Sequence, residues 1–228
     1  MNLLKLLKPA DLVSLVNLSL GVTAIAQAHA GNYELALILL LLAAVADGID
    51  GFVARKFGGG KLGGELDSLA DSISFGVAPA LLICFRFGSE KGLGFLLILV
   101  AYFYIICGVL RLARYNVLPL EKPGFQGLPI TAGCVVLASY LLIDGKLIND
   151  VFLLGLTFFL AFLMGSTIQY PKIRNLKFLG GIGLVFGITV IMFFVNKTYM
   201  RFFSLLLFGL MFSYLISPFI KFPKRYYE

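Results

Sequence analysis

The chain has 228 residues, of which 60% are hydrophobic and only 14% are charged, and its mean hydropathy is +0.96. So few polar side chains cannot cover a water-soluble surface, which excludes a soluble globular domain and predicts an integral membrane protein. The formal net charge of +7 is explained first by basic residues that orient membrane helices, and membrane lipids with anionic headgroups are expected partners of some of them. No nucleic-acid partner is expected.

Apolar segments of about 20 residues alternate with short polar connections along the chain. The first 11 residues, broken by Pro9, predict an interfacial segment rather than a cleaved signal peptide. The predicted spans are 12–29, 33–56, 64–86, 92–114, 128–143, 148–169, 179–195 and 201–220. The predicted fold class is all-α, a polytopic membrane bundle of about eight transmembrane helices, in which 128–143 and 179–195 are short enough to be partial or tilted.

Basic residues fall mainly in alternate connections between these spans. Of the 19 basic residues, 14 lie on the side that holds both termini and the connection between the second and third helices. The positive-inside rule places that side in the cytoplasm. We therefore expect both termini and the functional site on the cytoplasmic face, which is best suited to a prokaryotic plasma membrane.

Four aspartates lie within residues 47–71, where the second predicted helix ends and the third begins. Asp47 and Asp50 are three positions apart and Asp67 and Asp71 four apart, so each pair shares one helix face. The short glycine-rich link predicts that the two helices are antiparallel neighbours and that the pairs face each other. Because carboxylates this close repel each other and are unfavourable to desolvate, we expect bound Mg²⁺ or Mn²⁺, as two ions.

Arg55 follows Asp47 by about two helical turns, which suits a side chain that binds a phosphate held by the same metals. Small residues near the aspartates leave space for a substrate to approach the backbone, and they are Gly48, Gly51, Ala54, Gly63, Gly64 and Ala70. Ordinary packing between helices is the alternative for Gly64 and Ala70, whereas substrate access is preferred for Gly51. Metals and arginine beside carboxylates predict a polyphosphate substrate.

The stretch from Asp47 to Asp71 resembles the signature of the CDP-alcohol phosphatidyltransferases. That signature reads D-x-x-D-G-x-x-A-R, a spacer, and then G-x-x-x-D-x-x-x-D. Eight positions match, namely Asp47, Asp50, Gly51, Ala54, Arg55, Gly63, Asp67 and Asp71. The spacer has seven residues instead of the family's usual eight, and Gly60 or Lys61 occupies the place where a hydroxyl residue is common.

Flanking segments resemble the phosphatidylserine synthase branch of this family. They are 65-ELDSLADSISFGVAPA-80, 111-RLARYN-116, 127-GLPI-130 and 170-YP-171. The expected domains are a cytoplasmic interfacial segment at 1–11, a catalytic core at 12–172, and a C-terminal helix pair with a basic tail at 173–228. The resemblance implies a six-helix catalytic core, a homodimer, and transfer of a phosphatidyl group from a CDP-activated lipid to L-serine with release of CMP.

The resemblance also implies roles for individual residues. Asp47, Asp50 and Asp67 would hold the first metal ion, and Asp47, Asp67 and Asp71 the second. Asp71, the last in the motif, would be the general base that takes the proton of the serine hydroxyl. The expected contacts to the CDP-lipid are Gly48, Gly51, Ala54, Arg55, Lys61 and Asn17.

Two of these assignments have alternatives in the sequence. Arg111 and Arg114, three apart at the cytoplasmic end of the fourth helix, are candidates for the serine carboxylate together with Gln126, but both arginines also suit positive-inside anchors. Asn17 also suits a hydrogen bond between helices.

Other functions are compatible with part of the pattern. A transporter for cations would also place paired aspartates at a helix interface, although it would not require Arg55 and the adjacent glycines. A family member that accepts glycerol phosphate or inositol phosphate is the nearer alternative, and it would require a more strongly basic acceptor pocket. The sequence leaves open whether the donor lipid carries ester-linked or ether-linked chains.

Overall fold

The structure is a computed structural model that describes residues 7–57, 60, 62–89, 92–118, 125–170 and 176–219. Side chains of 55, 57, 125, 146 and 176–180 lie outside that description. The helices are α1 (Pro9–His29), α2 (Tyr33–Phe57), α3 (Gly63–Asp71), α4 (Ala78–Phe87), α5 (Leu93–Val117), α6 (Ile130–Leu141), α7 (Asp150–Gly165), α8 (Leu176–Val195) and α9 (Lys197–Ile216). Strands β1 (Phe125–Gln126) and β2 (Gln169–Tyr170) form one short antiparallel pair.

The predicted all-α membrane bundle is confirmed. Five segments are long and apolar enough to span a membrane, and they are Pro9–His29, Tyr33–Ala54, Gly63–Phe87, Leu93–Val117 and Lys197–Phe219. Phe95, Leu110 and Phe194 each expose more than half of their side-chain surface, as expected for residues that contact lipid. The protein is an integral membrane protein.

Helix α6 differs from the span that the sequence predicts at 128–143. It has only 12 residues, about 18 Å along its axis, so it is shorter than the hydrocarbon layer. All of its residues except Thr131 are buried. Because α2 and α9 pack against it, α6 is a central helix of the bundle and is apolar on nearly every side.

The predicted third span is a single helical segment with an irregular centre. Its three parts are α3, a π-helical turn at Ser72–Val77, and α4. A π-helical turn inserts an extra residue per turn and rotates the following side chains, and such turns are frequent at functional sites. The irregularity follows directly after Asp71, so it sets how the helix continues from the end of the motif into α4.

Local sequence explains several helix ends. Pro9 occupies the first turn of α1, where the missing N–H has no helical partner in any case, and Asp11 accepts a hydrogen bond from the Lys8 backbone N–H at 2.8 Å. The Asn149 side chain caps α7 by accepting from the Phe152 N–H at 3.0 Å. Asn196 caps α9 in the same way through the Thr198 N–H at 2.9 Å.

Packing brings the N-terminal helices around the motif. Helix α1 lies along α2 and also contacts α3, the π-helical turn and α4. Helix α5 packs against α7, and α8 packs against α9. Helices from outside the motif therefore reach the aspartates, namely α1, α5 and α6.

Candidate active site

Asp47, Asp67 and Asp71 form a carboxylate cluster between α2 and α3. One oxygen from each lies within 4.8 Å of the others. The helical spacing of the motif places each pair of aspartates on one helix face, and the fold brings Asp47 of α2 within reach of Asp67 and Asp71 of α3. Three negative oxygens this close in a largely buried setting repel each other unless a cation lies among them.

Asp50 lies next to this cluster. Only 6% of its surface is exposed, and its Oδ2 accepts a hydrogen bond from the Ser14 hydroxyl at 2.8 Å. Its carboxyl group is within hydrogen-bonding reach of Asp67. The structure thus brings all four predicted aspartates together, with Asp50 beside the three that converge.

Neutral groups from α1 and α6 hold two of the clustered carboxylates. Asn17 Nδ2 donates to Asp71 Oδ1 at 3.0 Å, and Thr131 Oγ1 donates to Asp47 Oδ2 at 3.2 Å. Hydrogen bonds from amides and hydroxyls fix the orientation of a carboxylate without neutralising its charge. These donors therefore orient the cluster while its negative charge remains.

Asp67 Oδ1 is a buried oxygen that accepts no hydrogen bond from any residue in the described parts of the chain. A buried acceptor without a partner is unfavourable unless another group satisfies it. Oxygen-only donor sets of this kind are preferred by Mg²⁺ and Mn²⁺. The residues present therefore fit a divalent cation bound among the carboxylates.

The π-helical turn fastens this region to α1 and α5. Ser74 Oγ donates to the backbone oxygen of Asn17 at 2.9 Å, and Tyr104 Oη donates to the backbone oxygen of Phe75 at 3.1 Å. All of these side chains are fully buried. These two bonds attach the π-helical turn to α1 through Ser74 and to α5 through Tyr104.

Arg111 lies at the cluster. Arg111 is buried, with 7% of its surface exposed, and its positive charge interacts electrostatically with Asp47 and Asp71. Its guanidinium carbon lies 5.8 Å from the centre of the Tyr115 ring. A buried arginine with an aromatic ring on one side presents its planar donors in a fixed direction. Arg111 is thus a buried cation of α5 that lies beside the clustered carboxylates.

Arg114, one turn later, faces backbone carbonyls instead. Its Nη2 donates to the backbone oxygens of Gln126 at 3.1 Å, Met164 at 3.4 Å and Ser166 at 2.9 Å. Two of these carbonyls belong to the C-terminal end of α7, which a cation stabilises. The Gln126 backbone thus contacts Arg114 directly, and Gln126 itself pairs with Gln169 across the two strands.

Gly127 allows this close packing beside Arg114. Its φ is +74°, in the region that favours glycine, and its N–H donates to the Ile168 oxygen at 2.8 Å. A Cβ at this position would collide with the Met164 backbone oxygen and approach Arg114 Nη2. Both the positive φ and the lack of space for a Cβ therefore explain why glycine occupies position 127.

The candidate contacts to a CDP-lipid are only partly described. A Cβ at Gly48 or at Gly64 would meet no atom within 4 Å, so packing does not explain glycine at either position, and Gly64 differs here from the packing interpretation. Ala70, by contrast, is fully buried, in agreement with packing. Gly51 and Ala54 are half-buried on α2. The Arg55 side chain and Lys61 lie outside the described residues.

Several polar residues at the site were not predicted from the sequence. They are Asp11, Ser14, Ser74, Tyr104 and Thr131. The carboxylate of Asp11 is fully buried, and it lies against Gly60 and Gly63 of the connection between α2 and α3. A signal for the hydroxyl residues does exist, since Ser14 precedes Asn17 by three positions and so shares its helix face, but serine and threonine are ordinary in membrane helices.

Comparisons with known proteins agree with the motif. The sequence profile described as CDP-alcohol phosphatidyltransferase matches residues 7–168. A protein of Methanothermobacter thermautotrophicus named archaetidylserine synthase is 37% identical over 169 residues, which cover 73% of this chain and 70% of that protein. A protein of Methanocaldococcus jannaschii named CDP-diacylglycerol–serine O-phosphatidyltransferase is 38% identical over 177 residues, which cover 77% of this chain and 79% of that protein. A Helicobacter pylori protein with the latter name is 34% identical over 176 residues, with 73% of each chain covered.

Proposed function

The chain belongs to the CDP-alcohol phosphatidyltransferase family, and from this premise we propose that it transfers the phosphatidyl group of a CDP-activated lipid to the hydroxyl of L-serine. In this reaction the serine oxygen forms a bond to the lipid-side phosphorus, the pyrophosphate bond breaks, CMP leaves, and the hydroxyl proton goes to a base. The observation that carries the proposal is the cluster of Asp47, Asp67 and Asp71 beside Arg111. The serine acceptor is supported by the names of the relatives.

Divalent cations are expected at the carboxylates. The convergence of Asp47, Asp67 and Asp71 supports one Mg²⁺ or Mn²⁺ at these three, and the contact between Asp50 and Asp67 supports a second at Asp47, Asp50 and Asp67. A cation bound there supplies positive charge that stabilises the pyrophosphate and the departing CMP. The role of the carboxylates is to hold the cation at a fixed place between α2 and α3.

Asp71 is the proposed general base. Its Oδ1 accepts the Asn17 amide, so the other carboxylate oxygen is left to take the proton of the serine hydroxyl. The hydrogen bond from Asn17 and the attachment of Ser74 to the Asn17 backbone support a fixed orientation of this carboxylate. A base held in one orientation loses less freedom when the substrate arrives.

The nucleotide end of the donor is proposed to lie along α2 and α1. The open space at Gly48 supports an approach to the backbone between Asp47 and Asp50, and Gly51, Ala54 and Arg55 match the family motif on the same helix. Lys61, in the connection to α3, is proposed as a further contact. Asn17 Oδ1 is buried and accepts no hydrogen bond from the described residues, which supports a further contact from Asn17 to a donor group of the CDP moiety.

For the serine carboxylate we propose Arg111 rather than Arg114 or Gln126. Arg111 is buried beside Asp71, so a serine held by it would place its hydroxyl near the proposed base. Arg114 has a nitrogen committed to three backbone oxygens, which supports a role in holding α7 and the strand pair. Gln126 is proposed to contribute to the same structural role, through its backbone oxygen that accepts from Arg114.

The cluster is proposed to face the cytoplasm of a prokaryotic cell, with both termini on the same side. The support is the excess of basic residues on the side of the connection between α2 and α3. A homodimer is proposed from the family resemblance.

An acceptor panel tests the proposed function. Purified protein, a CDP-activated lipid and Mg²⁺ are incubated in parallel with serine, glycerol phosphate, inositol phosphate and inositol, and CMP release is measured. We expect CMP release only with serine. Release with glycerol phosphate or inositol phosphate instead would assign another acceptor, and release with none, together with metal uptake into liposomes, would favour a cation transporter.

A further inference from the structure

Arg86 lies at the end of the bundle opposite the carboxylates. It is near the C-terminal end of α4, beside the start of α2, whereas the carboxylates lie near the end of α2 and the start of α3. Glu34 and Asp47 on the same helix are separated by roughly 20 Å along its axis. Charged groups at this end therefore do not belong to the carboxylate site.

A cavity of about 470 Å³ opens at this end. Its walls come from the turn before α2, the first residues of α2, and side chains of α4, α8 and α9. The lining combines the cations Arg86 and Lys197 and the carboxylate of Glu34 with the rings of Tyr33 and Phe193. A cavity of this composition suits a ligand that has both a charged and an apolar part.

Arg86 is held by uncharged groups. Its guanidinium carbon lies 5.5 Å from the centre of the Tyr33 ring and 5.1 Å from that of Phe87, and Nη1 donates to the Leu141 backbone oxygen at 3.4 Å. Within the described ranges, Arg86 makes no ion pair with a carboxylate. A half-buried arginine in a membrane-spanning segment is unfavourable unless an anion lies close to it.

The nearby carboxylates are committed to other cations. Glu34 accepts from Lys197 at 2.6 Å and lies 3.7 Å from Arg201, which also reaches Asp144 at 3.4 Å. Glu34 is close enough for an electrostatic interaction with Arg86, but its two carboxylate oxygens form ion pairs with Lys197 and Arg201. Among the described residues around the cavity, Lys197 and Arg201 are ion-paired with Glu34 and Asp144, and Arg86 is a cation that is not ion-paired with them.

We propose that this cavity binds the phosphodiester of an anionic phospholipid in the membrane leaflet opposite the carboxylate site. The phosphate would accept from the planar guanidinium of Arg86, and Lys197 at the mouth would add a second positive charge. Phe193 would contact the acyl or isoprenoid chain, which inorganic phosphate lacks. The binding site is separate from the transfer reaction and does not rest on the identity of the acceptor.

Native mass spectrometry of the delipidated full-length protein in detergent tests this site. Phosphatidylglycerol and phosphatidylcholine are added in parallel, and the fraction of protein that carries one added lipid is measured. We expect phosphatidylglycerol to bind the wild type more tightly than phosphatidylcholine and Arg86→Gln to weaken phosphatidylglycerol binding by about tenfold. Sodium phosphate at the same concentration should not displace the lipid, and displacement would assign the site to free phosphate and overturn the lipid proposal.

Two further variants make the result specific. Arg201→Gln removes the same charge from the same end, but Arg201 does not line the cavity, so phosphatidylglycerol binding should stay within about twofold of the wild type. Glu34→Gln removes a negative charge from the lining of the cavity and should tighten phosphatidylglycerol binding. CMP release by Arg86→Gln should equal that of the wild type, which shows that the variant is folded.

Unchanged phosphatidylglycerol affinity in Arg86→Gln would overturn the proposal. If Arg86→Gln fails to fold, Glu34→Gln decides, because unchanged or weaker phosphatidylglycerol binding in that variant contradicts an anion-binding cavity with Glu34 in its lining.

Discussion

The two ends of the helix bundle differ in what their charged side chains contact. At one end, Asp47 and Asp71 accept hydrogen bonds from neutral side chains of α6 and α1, so their charge is oriented but not cancelled. At the other end, Lys197 pairs with Glu34 and Arg201 pairs with Asp144. Oriented, uncancelled charge attracts a ligand of opposite sign, whereas paired charge mainly joins helices. The carboxylate end should therefore govern catalysis, and the opposite end should contribute modestly to stability.

Removal of divalent cations should have the largest effect. Exhaustive chelation with EDTA should abolish CMP release, and Mg²⁺ or Mn²⁺ should restore it, because the clustered carboxylates repel each other and the pyrophosphate without a cation. Mg²⁺ should also raise the Tm of the wild type but not that of Asp67→Asn. Full transfer after chelation would contradict a metal site at this end.

Asp71→Asn should reduce kcat by roughly 10²- to 10⁴-fold, the usual contribution of a general base. Binding of the CDP-lipid should remain, since the amide keeps the shape of the carboxylate and the other three aspartates are intact. Asp144→Asn, at the opposite end, is the matched control and should retain transfer. Turnover similar to the wild type in Asp71→Asn would exclude its role as the base.

Arg111→Lys should raise the KM for serine by roughly tenfold, because lysine lacks the planar fork that binds a carboxylate through two hydrogen bonds. Arg114→Lys is the comparison. It should lower the Tm, since its guanidinium holds three backbone oxygens, and leave the KM for serine unchanged. If Arg114→Lys raised the KM for serine and Arg111→Lys only lowered the Tm, Arg114 would be identified as the serine ligand.

Asn17→Ala should lower kcat/KM for the CDP-lipid by about tenfold, the effect of losing one hydrogen bond to a charged group. A fall in kcat would report the lost orientation of Asp71, and a rise in KM would report a lost contact to the nucleotide. Ser19→Ala on the same helix is an exposed control and should behave like the wild type. If Asn17→Ala also retains full activity, Asn17 serves only to pack α1.

Lys197→Ala should produce the smallest change. Its side chain is 62% exposed, and an ion pair of this kind contributes about 0.2–1 kcal/mol to the free energy of unfolding. Transfer should be unaffected, and the loss of stability should shrink at high salt because exposed charges are screened. A large loss of transfer would show that the two ends are coupled.

Much of the carboxylate end was predictable because helical geometry is local. The three- and four-residue spacings place Asp47 with Asp50 and Asp67 with Asp71 on one face whatever surrounds them. The short connection then leaves an antiparallel arrangement as the simplest way to join the two helices. The donors Ser14 and Thr131 were not predictable in the same way, since they approach the aspartates from helices that are distant in sequence.

The two arginines of α5 illustrate the same limit. Arg111 and Arg114 have equivalent spacing and charge in the sequence, and both suit a substrate carboxylate or an anchor. Their environments differ because only one of them points toward the end of α7, where Met164 and Ser166 present free carbonyl groups. Which side of α5 meets α7 depends on packing over the whole bundle.

The sequence by itself determined the membrane class, the approximate helices and the pairing of four carboxylates, because composition and backbone periodicity act over short stretches of chain. The tertiary structure decided which neutral side chains orient Asp47 and Asp71, which arginine lies beside them, and that α6 is a short buried helix. It also decided that Arg86 faces a cavity without an ion-pair partner among the described residues. These features depend on contacts between helices that are distant in sequence, as in the bond from Asn17 to Asp71, 54 positions apart, and local spacing carries no information about them.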